Sequence, residues 1–293
     1  MNQVYLNGEY LPREEARISV EDRGFLLSDG VYEVTPAYSG RFFRIPHHQC
    51  RLAGGLEALR IAHPLDQMEE VHRQLLRRNG LEDEEVATVY YQVTRGVAPR
   101  SHHFPLDPVA PTIYATASAF KRPARSRWEE GYGAITVPDR RWSRADLKTI
   151  SLLPNVLAQQ AAAEAGVKDA LMVREGVALE GAHNNVFFVF GEQVVTHPAT
   201  QRILHGITRG YVLELAGKEG FQVVERPVQI EEVAEASEIF FTGTTTEIRP
   251  TVQVDGRPVG HGVVGPVTRH LYDAFLAGVP REVGLIPAGA PQG

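Results

Sequence analysis

Five segments of this sequence carry side chains able to act on a small molecule. Lysine is scarce, with four in 293 residues, so Lys148, closing Arg141-Trp142-Ser143-Arg144-Ala145-Asp146-Leu147-Lys148, invites inspection. An ammonium is a poor nucleophile, but partial burial beside other cations lowers its pKa and lets the amine attack an aldehyde; Arg141 and Arg144 could supply that field. Further on, Leu179-Glu180-Gly181-Ala182-His183-Asn184-Asn185 sets an acid at a glycine turn, where a carboxylate could pair with a protonated heteroaromatic nitrogen. Two segments suit an anion: His205-Gly206-Ile207-Thr208-Arg209 opens a helix, whose first amides and dipole attract negative charge, and Thr242-Gly243-Thr244-Thr245-Thr246-Glu247 offers close backbone approach and hydroxyls. In Thr94-Arg95-Gly96-Val97-Ala98-Pro99-Arg100-Ser101-His102-His103-Phe104-Pro105, Arg100 with His102 could grip a carboxylate, and Tyr32 adds a phenol. Each segment also has an ordinary reading: a solvated lysine, an exposed turn, threonines bonding their own backbone, a surface loop, a core tyrosine.

The surrounding pattern supplies elements to hold these groups. Val4 to Leu11 alternates around Asn7-Gly8, a hairpin signal, and Val31 to Tyr38 with Arg41 to Ile45 reads as a second hairpin through Ser39-Gly40. Asp66 with Glu69 resembles a capping box opening a helix that stops at Asn79-Gly80. Val86 to Thr94 and Thr112 to Phe120 return to strand character. Ala134 to Val137 is a short strand, and the Arg141 to Lys148 segment is expected to end a strand before the alanine-rich helix Pro154 to Ala165. Ala170 to Arg174, Val186 to Phe190 and Gln193 to Thr196 read as strands, and Thr208 to Lys218 as a helix ended by Gly220.

A chain of this length suits two domains. The proline and cations of Lys121 to Trp128 mark a connection, giving domains at 1–120 and 129–279 joined by 121–128, and Pro280 to Gly293 is expected as a loosely held tail. Net charge is -6, with 43% apolar and 23% charged residues, so nothing in the charge balance favours nucleic acid or an anionic membrane. The single cysteine, Cys50, cannot form an internal disulfide, and no run approaches the roughly 20 apolar residues that span a bilayer. A cytoplasmic location is the expectation, with small molecules as partners and no metal.

Taken in order, these segments resemble fold type IV pyridoxal-phosphate enzymes, the class IV aminotransferases, and within them the bacterial D-amino acid aminotransferases. The resemblance runs from Val4 to Leu276 and rests on Glu21-Asp22-Arg23-Gly24, Asp29-Gly30-Val31-Tyr32-Glu33, Gln92-Val93-Thr94-Arg95-Gly96, Lys148 with Leu153-Pro154-Asn155-Val156-Leu157-Ala158, Glu180-Gly181, Gly206-Ile207-Thr208-Arg209 and Thr244-Thr245-Thr246-Glu247.

It implies an α+β or α/β architecture of two domains, the N-terminal smaller, the C-terminal built on a mixed, barrel-like sheet. It implies pyridoxal 5'-phosphate as cofactor, Lys148 as the Schiff-base lysine and proton shuttle, and Glu180 as partner of the pyridine nitrogen. Arg51, Ile207, Thr208 and Thr244 would hold the phosphate, with Gly243 also at the cofactor. Tyr32, Arg100 and His102 would trap the substrate carboxylate, with Thr244 and Thr245 lining the substrate site. The reaction implied is ping-pong transfer from a D-amino acid such as D-alanine to 2-ketoglutarate or pyruvate, in a homodimer whose Arg100 and His102 loop reaches the partner's site. Branched-chain L-amino acid aminotransferase and aminodeoxychorismate lyase are the alternatives on this fold. Two positions depart from the family pattern: Ala182-His183-Asn184 replaces small serines, and Gly243 stands where serine is common.

Overall fold

The structure, a computed structural model, describes residues 2–286. Its first hairpin is set by Asn7 and Gly8, both at positive φ, so that β1 (Gln3–Leu6) and β2 (Glu9–Pro12) pair with Leu6 opposite Glu9. Then come α1 (Arg23–Leu27), β3 (Gly30–Tyr38), β4 (Arg41–Phe42), α2 (Ile45–Leu59), α3 (Met68–Arg78), β5 (Val86–Thr94) and β6 (Thr112–Ala119). The strands form one antiparallel sheet in the order β2-β1-β6-β5-β3-β4. Leu52 and Leu56 of α2 and Met68, Val71, Leu75 and Leu76 of α3 pack on Val31, Val89 and Val93 of the sheet. Each such side chain stabilises the fold by about 1.5–3 kcal/mol when fully buried.

Two expectations for this part need correction. The strand read over Arg41 to Ile45 stops at Phe42, because Arg44 turns left-handed (φ 49°) and Pro46 fits the first turn of α2, where a missing N–H costs nothing. The capping box of Asp66 with Glu69 does not form; α3 starts after Gln67, which makes no side-chain cap bond. The helix is supported instead by Glu69 and Glu70 in its first turn and Arg77 and Arg78 in its last, charges matched to the helix dipole.

The second half begins with α4 (Arg125–Glu129). Trp128, inside the stretch expected to be an exposed connection, is buried, stacks on Tyr272 at 4.3 Å and donates its indole N–H to the Ile248 carbonyl at 2.8 Å. There follow β7 (Tyr132–Pro138), α5 (Leu153–Glu164), β8 (Asp169–Arg174), β9 (Val177–Gly181), β10 (Asn185–Phe190), β11 (Gln193–Thr196), α6 (Ile207–Lys218), β12 (Gln222–Glu225), β13 (Val228–Gln229), β14 (Glu238–Gly243), β15 (Glu247–Val254), β16 (Arg257–Pro258) and α7 (Pro266–Glu282). These ten strands make a mixed sheet in the order β12-β11-β10-β14-β15-β7-β8-β9-β13, with β16 on β15. Asn185 of β10 also pairs with Glu180 of β9, closing β10-β14-β15-β7-β8-β9 into a ring. That is the barrel-like mixed sheet of a two-domain α+β fold, with Leu171, Val186, Phe188, Val195, Ile239 and Phe241 in its core.

The chain separates into two compact units. The first comprises the residues through Arg122, the short segment Leu147–Ser151 and the described residues from Pro280; the second comprises Pro123–Asp146 and Leu152–Val279. Of the tail expected at Pro280 to Gly293, Pro280–Glu282 complete α7 and residues 287–293 lie outside the described residues. No helix among the described residues is long and apolar enough to cross a membrane.

Candidate active site

Lys148 does not end a strand. β7 stops at Pro138, and the intervening chain is irregular. Its rigidity comes from the first unit: Tyr32 N–H donates to the Lys148 carbonyl (3.0 Å), Ile150 N–H donates to the Gly30 carbonyl (3.1 Å), and Thr149 bridges Val31. The segment is thus a short extra ladder along the start of β3. The half-buried lysine lays its Nζ 4.2 Å from the centre of the Tyr32 ring, which stacks on Tyr90 at 5.3 Å. A cation over an aromatic face is held in place without a hydrogen bond.

Arg141 and Arg144 do not act as open cations. Arg144 is paired with Asp146 (2.9 Å), and Arg141 is clamped by Asp139 and Glu180. An acid two residues from each arginine cancels most of its field.

The next residue along β3, Glu33, turns to the opposite face, as a pleated strand requires. There it is fully buried and bonded by Arg51 of α2 (Nε 2.6 Å, Nη2 2.9 Å) and by His48 Nδ1 (2.7 Å). Burial pushes the Glu33 carboxyl up, but the Arg51 guanidinium and the His48 bond outweigh it and hold the group well below the usual carboxylate range. Burial pushes the His48 imidazole down. The sequence reading named Arg51 and missed Glu33 and His48. Their signal was the spacing of His48 and Arg51, three apart and so on one helical face.

Glu180 is buried on β9, not exposed in a turn. It is bonded by Arg141, accepts from Asn185 Nδ2 (2.7 Å), and takes the Leu204 N–H on both oxygens (3.1 Å each). Burial raises its pKa to about 7 despite Arg141, so near neutrality a further cation would decide its charge. Asn185 ties this acid to the start of α6, since its amide also donates to the Leu204 carbonyl (2.8 Å). Gly206 caps that helix, and a Cβ there would fall 2.0 Å from Asn185 Oδ1. Ile207 and the buried Thr208 form the first turn, whose amides have no acceptor within the helix.

Gly243, Thr244 and Thr245 stand at the β14–β15 turn, Gly243 and Thr244 half-buried and Thr245 exposed. Thr246 Oγ1, 3.4 Å from where a Gly243 Cβ would lie, is buried without a hydrogen-bond partner, as is the Thr242 hydroxyl. Pyridoxal phosphate fits these groups in kind: a buried acid whose charge a ring N–H would fix, a helix start and unpartnered hydroxyls for an anion, and a reactive amine.

Lys148, Tyr32, Arg51, Arg100 and His102 belong to the first unit, and Glu180, Ile207, Thr208, Gly243, Thr244 and Thr245 to the second. A single chain joins Tyr32 with Lys148, whereas Arg100 and His102 stand exposed in the loop between β5 and β6. His183 is exposed in the turn before β10.

Residues 30–254 match Amino-transferase class IV. The chain is 37% identical to a D-alanine aminotransferase of Staphylococcus haemolyticus over 94% of its length and 97% of that protein. It is 35% identical to a D-alanine aminotransferase of Bacillus licheniformis, covering 96% and 98%. Among solved structures it is similar to a T.th. branched-chain amino acid aminotransferase with pyridoxamine 5'-phosphate, with a TM-score of 0.87, 26% identity, and 98% and 95% of the two chains covered.

Proposed function

The chain belongs to the class IV aminotransferases, and on that footing we propose that it transfers the amino group of a D-amino acid such as D-alanine to 2-ketoglutarate or pyruvate. It is a pyridoxal-phosphate enzyme. When bound, that cofactor supplies an electron sink for the substrate's α-carbon. With that group bound, Lys148 Nζ would hold it through its aldehyde and would serve as the base that takes the substrate's α-proton. Glu180, oriented by Arg141 and Asn185, holds the proton on the ring nitrogen. The first-turn amides of Ile207 and Thr208, with Arg51 and Thr244, hold the phosphate, and Gly243 keeps the turn close beside it. Tyr32, Arg100 and His102 fix the carboxylate, with Thr244 and Thr245 lining the pocket, so that the D-enantiomer turns its α-hydrogen toward Lys148. Two half-reactions share one site, which makes the kinetics ping-pong.

The observation that carries the cofactor reading is the buried Glu180, held by Arg141, Asn185 Nδ2 and the Leu204 N–H next to the start of α6, with a pKa raised by burial to about 7. The D-preference is supported by Tyr32, Arg100 and His102 together with the extent of similarity to D-alanine aminotransferases. A homodimer in which Arg100 and His102 complete the site of the other subunit is part of this proposal, and the exposure of both residues in the single chain leaves them available for that role. A cytoplasmic location is part of the same proposal.

One observation favours a second reading, an L-branched-chain specificity: several solved structures similar to this one are branched-chain aminotransferases, including that of Escherichia coli at a TM-score of 0.88 and 25% identity. Mixing purified holoenzyme separately with D-alanine, L-alanine and L-leucine, and following the cofactor's visible spectrum, separates the two. Conversion to the aminated form by D-alanine alone is expected; conversion by L-leucine alone would select the second reading.

A further inference from the structure

The loop carrying Arg100 and His102 has no helix and one isolated bridge, Val97 to Asp22, yet it is tied to a buried cluster of charges in the first unit. Arg23 and Arg95 are both buried, and Asp29 lies between them. Arg95 grips Asp29 with two bonds (Nε 2.7 Å, Nη2 3.0 Å) and gives two further protons to the Arg60 carbonyl (3.1 Å) and the Leu59 carbonyl (2.6 Å) at the end of α2. Those carbonyls are the negative pole of that helix, a natural seat for a second buried cation. One face of the same guanidinium lies 3.7 Å from the centre of the Phe104 ring. Asp29 also accepts from Arg23 Nε (2.8 Å), and Arg23 Nη1 donates to the Ser101 carbonyl (2.8 Å), the residue between Arg100 and His102.

The base of the loop is closed as well. Gly96 has φ 97°, and a Cβ on it would fall 1.9 Å from the Ala110 carbonyl oxygen, so the two ends touch. A loop shut at its base and pinned at Ser101 and Phe104 still presents Arg100 and His102 to solvent. The cluster therefore joins three pieces: the start of β3, just ahead of Tyr32; the end of α2, the helix of Arg51; and the loop.

We propose that Arg95 is a positioning residue for substrate, holding through Asp29, Arg23 and Phe104 the loop from which Arg100 and His102 bind the substrate carboxylate. This rests on the carboxylate-binding role given above for those two residues. Arg95 itself acts through the loop and touches no substrate.

The test uses holoenzyme carrying Phe104→Leu, a change at a partly exposed site that removes the aromatic face, and Arg95→Lys, which keeps the charge but loses the fork, with Arg100→Ala as reference. Three readouts are taken: KM and kcat with D-alanine; the rate at which ethylamine, which has the amine but no carboxylate, converts the cofactor; and tryptic cleavage after Arg100. Both positioning variants should raise KM for D-alanine by at least about tenfold, since small misplacements of a binding group are costly. They should leave the ethylamine rate close to wild type and speed cleavage after Arg100. General structural damage would depress both amines alike and overturn the inference. If Arg100→Ala raises KM while Phe104→Leu and Arg95→Lys do not, the inference fails and the role of Arg100 stands. If Arg100→Ala leaves KM unchanged, the carboxylate-binding role fails and takes the inference with it.

Discussion

At the scale of single residues, Glu180 is the acid that the fold brings into the neutral range. Its pKa is pushed up to about 7 by burial, against an ordinary value of 4.5. Between those values the folded chain keeps a proton that the unfolded chain has released, so stability falls as pH rises through that window. At about 1.4 kcal/mol per pK unit, the loss is on the order of 3 kcal/mol once the pH exceeds 7. Buried His72, pushed down to about 3, and His48, also pushed down, act the other way, because the unfolded chain takes up their protons first as pH falls. The effect must therefore be read as a difference. In urea melts of cofactor-free protein, Glu180→Gln should gain on wild type by about 3 kcal/mol between pH 4.5 and pH 8. With cofactor bound, a ring N–H beside the carboxylate should shrink that gain. A flat difference across the window would show that position 180 is not the acid that burial protonates.

At the scale of elements, the start of α6 is where one atom decides the geometry. Gly206 has an ordinary φ of -65°, so backbone freedom is not the reason for glycine; the reason is space, since a Cβ would sit 2.0 Å from Asn185 Oδ1. Because Asn185 also bonds Glu180 and the Leu204 carbonyl, Gly206→Ala should shift together the acid and the helix start proposed to hold the phosphate. We expect cofactor affinity, measured by fluorescence titration, to fall at least about tenfold, the equivalent of about 1.4 kcal/mol. Unchanged affinity would detach this helix from the cofactor. Local pattern made such elements legible in different degrees. Strands β5 and β6 and helices α5 and α6 stand within a residue or two of where periodicity and glycine stops put them, because their signals are local. Helix α2 was hidden by Gly54-Gly55 and its paired histidines. The setting of Lys148 was not local at all: it rests on a ladder to β3, more than a hundred residues away in sequence. The motif Glu21-Asp22-Arg23-Gly24 likewise gains a reason only in three dimensions, where Arg23 N–H donates to the Gly96 carbonyl (2.9 Å) and Thr94 Oγ1 donates to Asp22 (3.0 Å). Charge pairs show the same limit, since a sequence displays Arg141 as a cation and conceals that Asp139 and Glu180 have claimed it.

At the scale of the whole molecule, the chain is two units by contact but not by sequence, because Leu147–Ser151 is a piece of the first unit embedded in the run of the second. Lys148 is thus carried by the first unit, whereas both tryptophans, Trp128 and Trp142, belong to the second. That separation allows a test. The proposed roles divide the contacts of one cofactor among residues of both units, and a ligand that binds only the folded state stabilises it by about 2.7 kcal/mol at a hundredfold excess over Kd. Tryptophan fluorescence reports unfolding of the second unit alone. If Lys148 of the first unit and Glu180 of the second serve the same cofactor, then Lys148→Ala should reduce the cofactor-induced rise in the tryptophan-reported midpoint, although no residue of the second unit has changed. Glu180→Gln should reduce it from the other side. The loss in Lys148→Ala should be the larger, because a covalent anchor is removed. An undiminished rise in Lys148→Ala would mean that the cofactor is held without position 148, and the assignment of the reactive lysine would have to be abandoned while the class IV fold remained.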